Sequence, residues 1–174
     1  ALTFAYMIAE GVGGWLTNSL ALIADATARP AADRLTFIRM LAFHYLVGNA
    51  DAHAKNFALL YSEATPDLAP LYDVVCTAAY KPLSKKLAMA IGGRSIPDTI
   101  QLQHWLSLVP NTRAAQRLLI RDFYAMAESI GAQADTLLAE LEAEDADHTI
   151  LKEVRRVIDS RATLLMRAID ATDI

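Results

Sequence analysis

The spacing of apolar residues changes twice along this chain, and those changes limit the folds it can adopt. Apolar residues recur at helical intervals from Leu35 to Leu46, which predicts a helix that ends near Val47 and is closed by Gly48. The spacing then becomes that of short strands, and after Asp98 it is helical again. The pattern predicts a mainly α fold with one small β-hairpin.

Turn residues and caps divide the chain into further elements. Two short apolar runs, residues 57–61 and 68–72, flank a turn and predict the hairpin, and residues 87–91 predict a third short strand. Capping residues and helical spacing predict four other helices. The first helix covers residues 17–28, and the second is a long helix capped by Asn111 and closed by Gly131. The third covers residues 134–142, and the last begins near Asp147.

Length and composition predict one domain over residues 1–174, which is large enough to bury a core without disulfides or a structural metal. The single Cys76 excludes an internal disulfide and a thiolate metal cluster, and it fits a reducing, cytoplasmic setting. Arg39 and His44 interrupt the longest apolar run, so no segment is expected to span a membrane.

Charge is distributed unevenly along the chain. The net charge of −4 argues against a nucleic-acid binder as a whole. Residues 128–147 contain seven acidic side chains and no Lys or Arg, whereas residues 74–97 contain four basic side chains and no acid. The basic stretch is either a solvated loop or a surface that meets phosphate or an acidic partner. Its basic residues are Lys81, Lys85, Lys86 and Arg94.

A polar segment stands where the first periodic pattern ends, with the sequence VGNADAHAKNF over residues 47–57. A hairpin returns its two ends to one place, so Asn56 and Asp73 are expected to be neighbours in space. Asp51 begins the same turn and can face the same point. Three oxygen-bearing side chains that converge suit Mg²⁺, which prefers hard oxygen ligands and keeps waters and substrate phosphates.

The three side chains suggest a division of roles. Without a metal, two close carboxylates would repel each other, so Asn56 and Asp73 are expected to hold the metal while Asp51 accepts a proton from an attacking hydroxyl. Protein kinases organise phosphoryl transfer in this way, with a metal-binding asparagine five residues after the catalytic aspartate, as Asn56 follows Asp51. Alternatively, Asp51 caps a turn and Asn56 bonds its own backbone.

Three ordered motifs resemble the C-terminal domain of the HipA family, which comprises bacterial serine/threonine kinases that act as toxins in toxin–antitoxin pairs. Residues 10–14 are loosely similar to a further family segment. The matching residues are Asn49, Asp51, His53, Lys55, Asn56 and Phe57, then Leu68, Pro70, Tyr72 and Asp73, then Lys86, Leu87, Ala88 and Met89.

The resemblance implies a kinase C-lobe-like helical domain in which the hairpin carries the catalytic and metal-binding loops. It implies ATP and Mg²⁺ as cofactors and a protein substrate. Asp51 falls on the catalytic aspartate, and Asn56 and Asp73 fall on the metal- and cofactor-binding positions. The family also pairs with a small helix-turn-helix antitoxin that binds operator DNA, so DNA is expected as an indirect partner only.

His53 and Lys55 complete the set of candidate catalytic residues. His53 could organise the loop, act as a base or bind metal, and the first role is favoured because no other His or Cys is near in sequence. Lys55 could meet the transferred phosphate or form a salt bridge within the loop. Lys86 is either near the acceptor site, as the resemblance suggests, or a surface lysine.

Structural roles are expected for several other polar and aromatic residues. His44 is expected to be a hydrogen-bonded core histidine, and Asn49 to bond the backbone of the polar segment. Trp15 and Trp105 are expected in the core or at a partner contact. Cys76 is expected to be a structural thiol, because nothing in the sequence suggests a depressed pKa.

The kinase interpretation needs parts that this sequence does not supply. Nothing before Asp51 reads as a phosphate-covering loop or as a strand lysine that grips phosphates. The chain is therefore expected to be the C-lobe of a longer kinase and to transfer little phosphate alone. Two alternatives stay open: a small-molecule phosphotransferase of the aminoglycoside or choline kinase type, which shares D-x-H-x-x-N, and a non-catalytic module that binds an antitoxin or DNA.

Overall fold

The computed structural model describes residues 27, 29–61, 66–144 and 149–172, and it confirms a mainly α fold with a small β-hairpin. Three short 3₁₀ turns, at Ala54–Asn56, Thr77–Ala79 and Pro97–Thr99, join the longer elements. In this part of the chain the helices and strands are α1 (Pro30–Val47), β1 (Leu59–Tyr61), β2 (Pro66–Leu68), α2 (Leu102–Leu106), α3 (Arg113–Ala143) and α4 (Thr149–Asp170).

Some sequence predictions fall outside this part of the chain. They are the helix over residues 17–28 except Thr27, the motif at residues 10–14, Trp15, most of the hairpin turn, and the start of the last helix near Asp147. None of the described helices is both long enough and apolar enough to cross a membrane.

The core lies where α1 meets the antiparallel pair formed by α3 and α4. Trp105 from α2 is 1% exposed and stands edge-on between Tyr45 and Phe123, with ring centroids 5.6 and 4.9 Å away. Edge-to-face contacts of this kind add to the gain from burying the rings. The expectation that Trp105 is a core residue is confirmed. Through this residue, α2 packs against both α1 and α3.

The predicted end of α1 is confirmed. Gly48 has φ +75° and donates its N–H to Tyr45 O at 3.1 Å, while the Asn49 N–H reaches His44 O at 2.9 Å. This pair of bonds is a Schellman motif, which satisfies the last carbonyls of a helix through a left-handed residue. The chain therefore leaves α1 in a defined direction and enters the polar segment.

The hairpin is present, but its second strand is shorter and earlier than predicted. Leu59 pairs with Leu68 and Tyr61 with Pro66, so β2 meets the predicted run at residues 68–72 only at Leu68. The Ala69 N–H still bonds Ala58 O at 2.9 Å, and Pro70 then has no N–H to continue the ladder.

The predicted strand at residues 87–91 is wrong. The Leu87 N–H bonds Ser95 O and the Ala88 N–H bonds Ala50 O, both at 2.8 Å, and Ile91 forms only an isolated bridge with Arg94. Because consecutive backbone groups bond different partners, no continuous ladder can form along this segment.

The predicted cap and end of the long helix are also wrong. Thr112, not Asn111, accepts the capping bond from the Ala115 N–H at 3.3 Å. α3 then runs through Gly131 without a break, so residues 134–142 form its last turns and not a separate helix. Packing on α4 explains the continuity, because Arg155 of α4 lies beside Gly131 and bonds Asp135 of α3 at 2.6 Å.

In the described part of the chain, the last helix presents an apolar face to the core. Ile158, Leu165 and Ile169 of α4 are buried at helical spacing. Ile150, Val154 and Val157 are partly buried. α4 therefore packs one apolar face on α3 and α1 and leaves the other exposed.

We expect Gly48→Ala to lower the free energy of unfolding by about 2 kcal/mol or more. A Cβ at Gly48 would lie 2.5 Å from Val157 Cγ1, and the residue also has a left-handed backbone. Gly93→Ala is the matched control, since Gly93 has φ +79° but nothing within 4 Å of an added Cβ. Urea unfolding measures both, and equal losses would show that the contact with Val157 does not matter.

We expect Gly131→Ala to raise the free energy of unfolding by about 0.5–1 kcal/mol, because alanine favours a helix interior. The nearest atom to an added Cβ is Arg155 Nη2 at 3.5 Å, an ordinary contact. Thermal or urea unfolding is the measurement. A destabilised variant would instead indicate that the helix ends at Gly131.

Candidate active site

The polar segment that follows α1 presents Asp51 to solvent from a buried backbone. Ala50 and Ala52 are 6% and 5% exposed, whereas Asp51 between them is exposed. The segment then turns through the 3₁₀ helix Ala54–Asn56 into β1. An accessible carboxylate is therefore held on a loop whose neighbouring residues are fixed by the core.

Backbone bonds from two distant segments hold this loop in place. The Ala50 N–H donates to Thr77 Oγ1 at 2.8 Å, and the Thr77 hydroxyl donates to Gly48 O at 3.3 Å. On the other side, Ala50 O accepts from the Ala88 N–H at 2.8 Å. Thr77 was missed by the sequence reasoning. It lies between the second and third motifs of the resemblance, and no local pattern singles it out.

Asn56 and Asp73 are in contact across the base of the hairpin. Asn56 is 5% exposed, its Nδ2 donates to Asp73 Oδ2 at 2.5 Å, and its Oδ1 accepts from the His53 N–H at 3.0 Å. Asp73 itself is exposed. A buried amide oxygen with a second lone pair and an exposed carboxylate are thus placed side by side. Both are hard oxygen ligands of the kind that Mg²⁺ accepts.

Asp73 has φ +54°, and it is the only non-glycine residue with positive φ in the described part of the chain. This conformation is costly for an aspartate and persists only where the surroundings hold it. The Asn49 Nδ2 donates to Asp73 O at 3.1 Å, and Asn49 Oδ1 accepts from the Asp51 N–H at 3.0 Å. Asn49 therefore links the loop of Asp51 to the backbone of Asp73, and its predicted bond to the loop is confirmed.

His44 lies beneath this link and is 1% exposed. Its Nδ1 is 3.1 Å from Asn49 Nδ2, and burial lowers the pKa of the imidazole although the charge of Asp73 raises it. A neutral ring accepts at Nδ1 and carries its proton at Nε2. The expectation of a core histidine is confirmed. Its hydrogen bonding is incomplete, because Nε2 has no partner among the described residues.

Lys55 lies on the 3₁₀ turn Ala54–Asn56, and His53 directly precedes that turn. The His53 backbone makes both bonds to Asn56, since its C=O also accepts from the Asn56 N–H at 2.9 Å. His53 Nδ1 is buried without a partner in the described residues. Lys55 is exposed, and its C=O accepts from the Tyr72 hydroxyl at 2.5 Å. The turn is thereby bonded to the segment that follows β2.

Among the described residues, the remaining titratable groups give no second site. Burial raises the pKa of the Cys76 thiol, as expected for a structural cysteine. No three His, Cys, Asp or Glu side chains of the described residues come together as a metal-binding group. Asn56 and Asp73 alone would offer two protein ligands, which fits an ion that keeps waters and substrate oxygens.

We expect Thr77→Val to lower the free energy of unfolding by about 1–3 kcal/mol, because it leaves the buried Ala50 N–H without its acceptor. Thr77→Ser is the matched control, since it keeps the hydroxyl and loses only a methyl group. Urea unfolding of both variants is the measurement. Similar losses for the two variants would show that the hydroxyl does not hold the loop.

Known relatives match this chain over most of its length. A Sinorhizobium fredii protein named "Putative kinase Y4mE" is 32% identical over 148 residues, which cover 85% of this chain and 35% of that protein. The Shewanella oneidensis protein named "Serine/threonine-protein kinase toxin HipA" is 28% identical over 142 residues, covering 80% and 32%. The chain thus spans about a third of the length of these curated relatives.

A solved structure has the same fold. The structure is that of the Shewanella oneidensis MR-1 toxin–antitoxin system HipA, HipB and its operator DNA, and it superposes with a TM-score of 0.71 at 23% identity. The match covers 90% of this chain and 38% of that chain. The sequence profile of the HipA-like C-terminal domain matches residues 10–160, which include the polar segment, the hairpin and most of α4. This chain therefore belongs to the HipA-like C-terminal domain family.

Proposed function

We propose that this chain is the C-terminal catalytic lobe of a HipA-type serine/threonine protein kinase that uses ATP and Mg²⁺ to phosphorylate a protein hydroxyl. The observation that carries the proposal is the contact between Asn56 Nδ2 and Asp73 Oδ2 at 2.5 Å. It brings together the two side chains that are proposed here as metal ligands, at the exit of a loop that exposes Asp51. Relatives named as kinases support the reaction class.

Asp51 is proposed to orient the acceptor hydroxyl and to accept its proton. Its side chain is accessible, and its backbone N–H is bonded to Asn49. The carboxylate can therefore reach a substrate while the backbone of Asp51 stays in place. Positioning of this kind accounts for much of the rate enhancement in phosphoryl transfer. Asp51 would therefore act as a positioned base while the rest of the site neutralises charge.

Asn56 Oδ1 and the Asp73 carboxylate are proposed to hold Mg²⁺. Asn56 Oδ1 already accepts the His53 N–H, which fixes the direction of its second lone pair. The left-handed backbone of Asp73, held through Asn49, sets the direction of the carboxylate. When bound, Mg²⁺ would neutralise the charge of the phosphates.

His53 and Lys55 are proposed to play supporting roles on the same turn. His53 would fix the Ala54–Asn56 turn through its two backbone bonds to Asn56. Lys55 would place its exposed ammonium group near the transferred phosphate, with its backbone anchored by the Tyr72 hydroxyl. Neither residue needs to bind the metal for these roles.

The proposal extends to parts that lie outside this chain. The chain covers about a third of its relatives, so we propose that a phosphate-covering loop and a phosphate-binding lysine belong to the rest of the full-length protein. We also propose a helix-turn-helix antitoxin as partner, with operator DNA reached through that partner. The HipA, HipB and operator DNA complex in the structural neighbour supports this assembly.

We expect Asp51→Asn in the full-length protein to lower kcat by about 10²- to 10⁴-fold, because a general base is lost. Asp73→Asn should abolish most phosphoryl transfer and raise the Mg²⁺ concentration needed for the half-maximal rate, because it removes a proposed metal ligand. The measurement follows label from γ-labelled ATP into the protein itself and into lysate proteins. Asp170→Asn is the matched control, since Asp170 is exposed at the end of α4, and it should leave the rate unchanged.

Two results of this experiment would contradict the proposal. If the wild type binds ATP but labels no protein, a small-molecule phosphotransferase becomes the better interpretation. If it binds no nucleotide, the loop around Asp51 is a structural turn, and a module that binds an antitoxin or DNA becomes the better interpretation.

A further inference from the structure

A surface of basic and apolar side chains adjoins the candidate active site. It comes from residues 74–97, a stretch without any acidic residue in a chain whose net charge is −4. We call it the basic–apolar surface. Its members are all exposed, and they are Val74, Val75, Tyr80, Lys81, Leu83, Lys85, Lys86, Arg94 and Ile96.

Chain connectivity and a backbone hydrogen bond join parts of this surface to the segments that carry Asp73 and Asp51. Val74 follows Asp73 directly in the chain. At the other end, the Ala88 N–H bonds the carbonyl of the residue before Asp51 at 2.8 Å, and Lys86 lies two positions earlier. The Leu87 N–H bonds Ser95 O at 2.8 Å, which brings the backbone of the neighbouring Arg94 close to that of Lys86 and Leu87. The backbone of Lys86 therefore lies close to the loop that carries Asp51.

The charge of this surface is not neutralised by the ion pairs of the described residues. Those pairs include none of its four basic side chains. Asp73 and Asp98 flank the stretch, and Asp98 is bonded to the buried Arg161 at 2.9 Å. Exposed cations that lack internal partners raise the local concentration of an acidic ligand and attract it at low ionic strength.

We infer that the basic–apolar surface binds an acidic segment of the protein substrate and presents its serine or threonine to Asp51. This inference rests on the proposed function and adds the chemistry of the acceptor to it. Exposed Val75, Leu83 and Ile96 lie among the cations, which suits a peptide that buries apolar side chains at the centre and pairs charges at the rim. The negative net charge disfavours nucleic acid as the ligand.

The test measures peptide binding to the full-length protein by fluorescence anisotropy. Three peptides share one serine and the same leucines, and their other positions are glutamate, glutamine or lysine. The glutamate peptide should bind about tenfold more tightly than the glutamine peptide, as two or three exposed ion pairs would give. The difference should shrink at high salt.

Reversing the charge of two lysines tests whether the basic–apolar surface is where the peptide binds. The double variant Lys85→Glu with Lys86→Glu should lose the tenfold preference and gain affinity for the lysine peptide. Both side chains are exposed, and an unchanged urea midpoint would show that the fold is intact. Arg117→Glu is the matched control, because Arg117 is an exposed cation of α3 in a groove with Ile169 and Thr172 of the α4 end. It should leave peptide binding unchanged.

Several results would overturn the inference. The first is equal affinity for the three peptides, and the second is no binding of any of them. The third is a loss of the glutamate preference in Arg117→Glu that equals the loss in the double variant. Tighter binding of a single-stranded oligonucleotide that is lost in the double variant would assign the surface to nucleic acid. Label transfer from ATP is measured separately: if the peptides bind alike while the protein labels itself, only this inference fails. If the acidic peptide binds but no label is transferred to any protein, the proposed function fails.

Discussion

Gly48 has no room for a side chain, and the candidate site depends on that restriction. Val157 of α4 occupies the space where a Cβ would lie, at 2.5 Å, and the left-handed backbone of Gly48 ends α1 at this point. The next residues leave the helix in one direction only, so Ala50 reaches Thr77 on one side and Ala88 on the other. The position of Asp51 follows from these contacts.

Gly48 and Val157 fix the end of α1 by an apolar contact, and Asn49 fixes the following loop by hydrogen bonds. It is 2% exposed, and its amide bonds the Asp51 N–H, the Asp73 carbonyl and the His44 ring. A buried amide that loses its partners is strongly unfavourable, so this network selects one arrangement of the two loops. The positive φ of Asp73 costs roughly 1–3 kcal/mol, which these bonds help to offset.

Gly48 and Gly131 show why a local rule can succeed once and fail once in the same chain. Both follow a run of apolar residues at helical spacing, and the sequence predicts a helix end at each. At Gly48 the packing of α4 leaves no alternative. At Gly131 the face of α3 continues beyond the glycine with Ala134, and Arg155 joins the two helices through Asp135. Packing along two long helices outweighs a glycine penalty of about 1 kcal/mol.

The sequence by itself determined the types of the main elements, the end of α1 and the return of the hairpin that joins Asn56 to Asp73. These depend on hydrophobic spacing, on glycine geometry and on chain reversal, which are properties of short stretches. Only the tertiary structure decided the length of β2, the continuity of α3, the role of Thr77 and the position of the basic–apolar surface beside Asp51. Each of these depends on which distant backbone or side-chain group supplies a hydrogen-bond partner or a packing surface, and no local pattern contains that information.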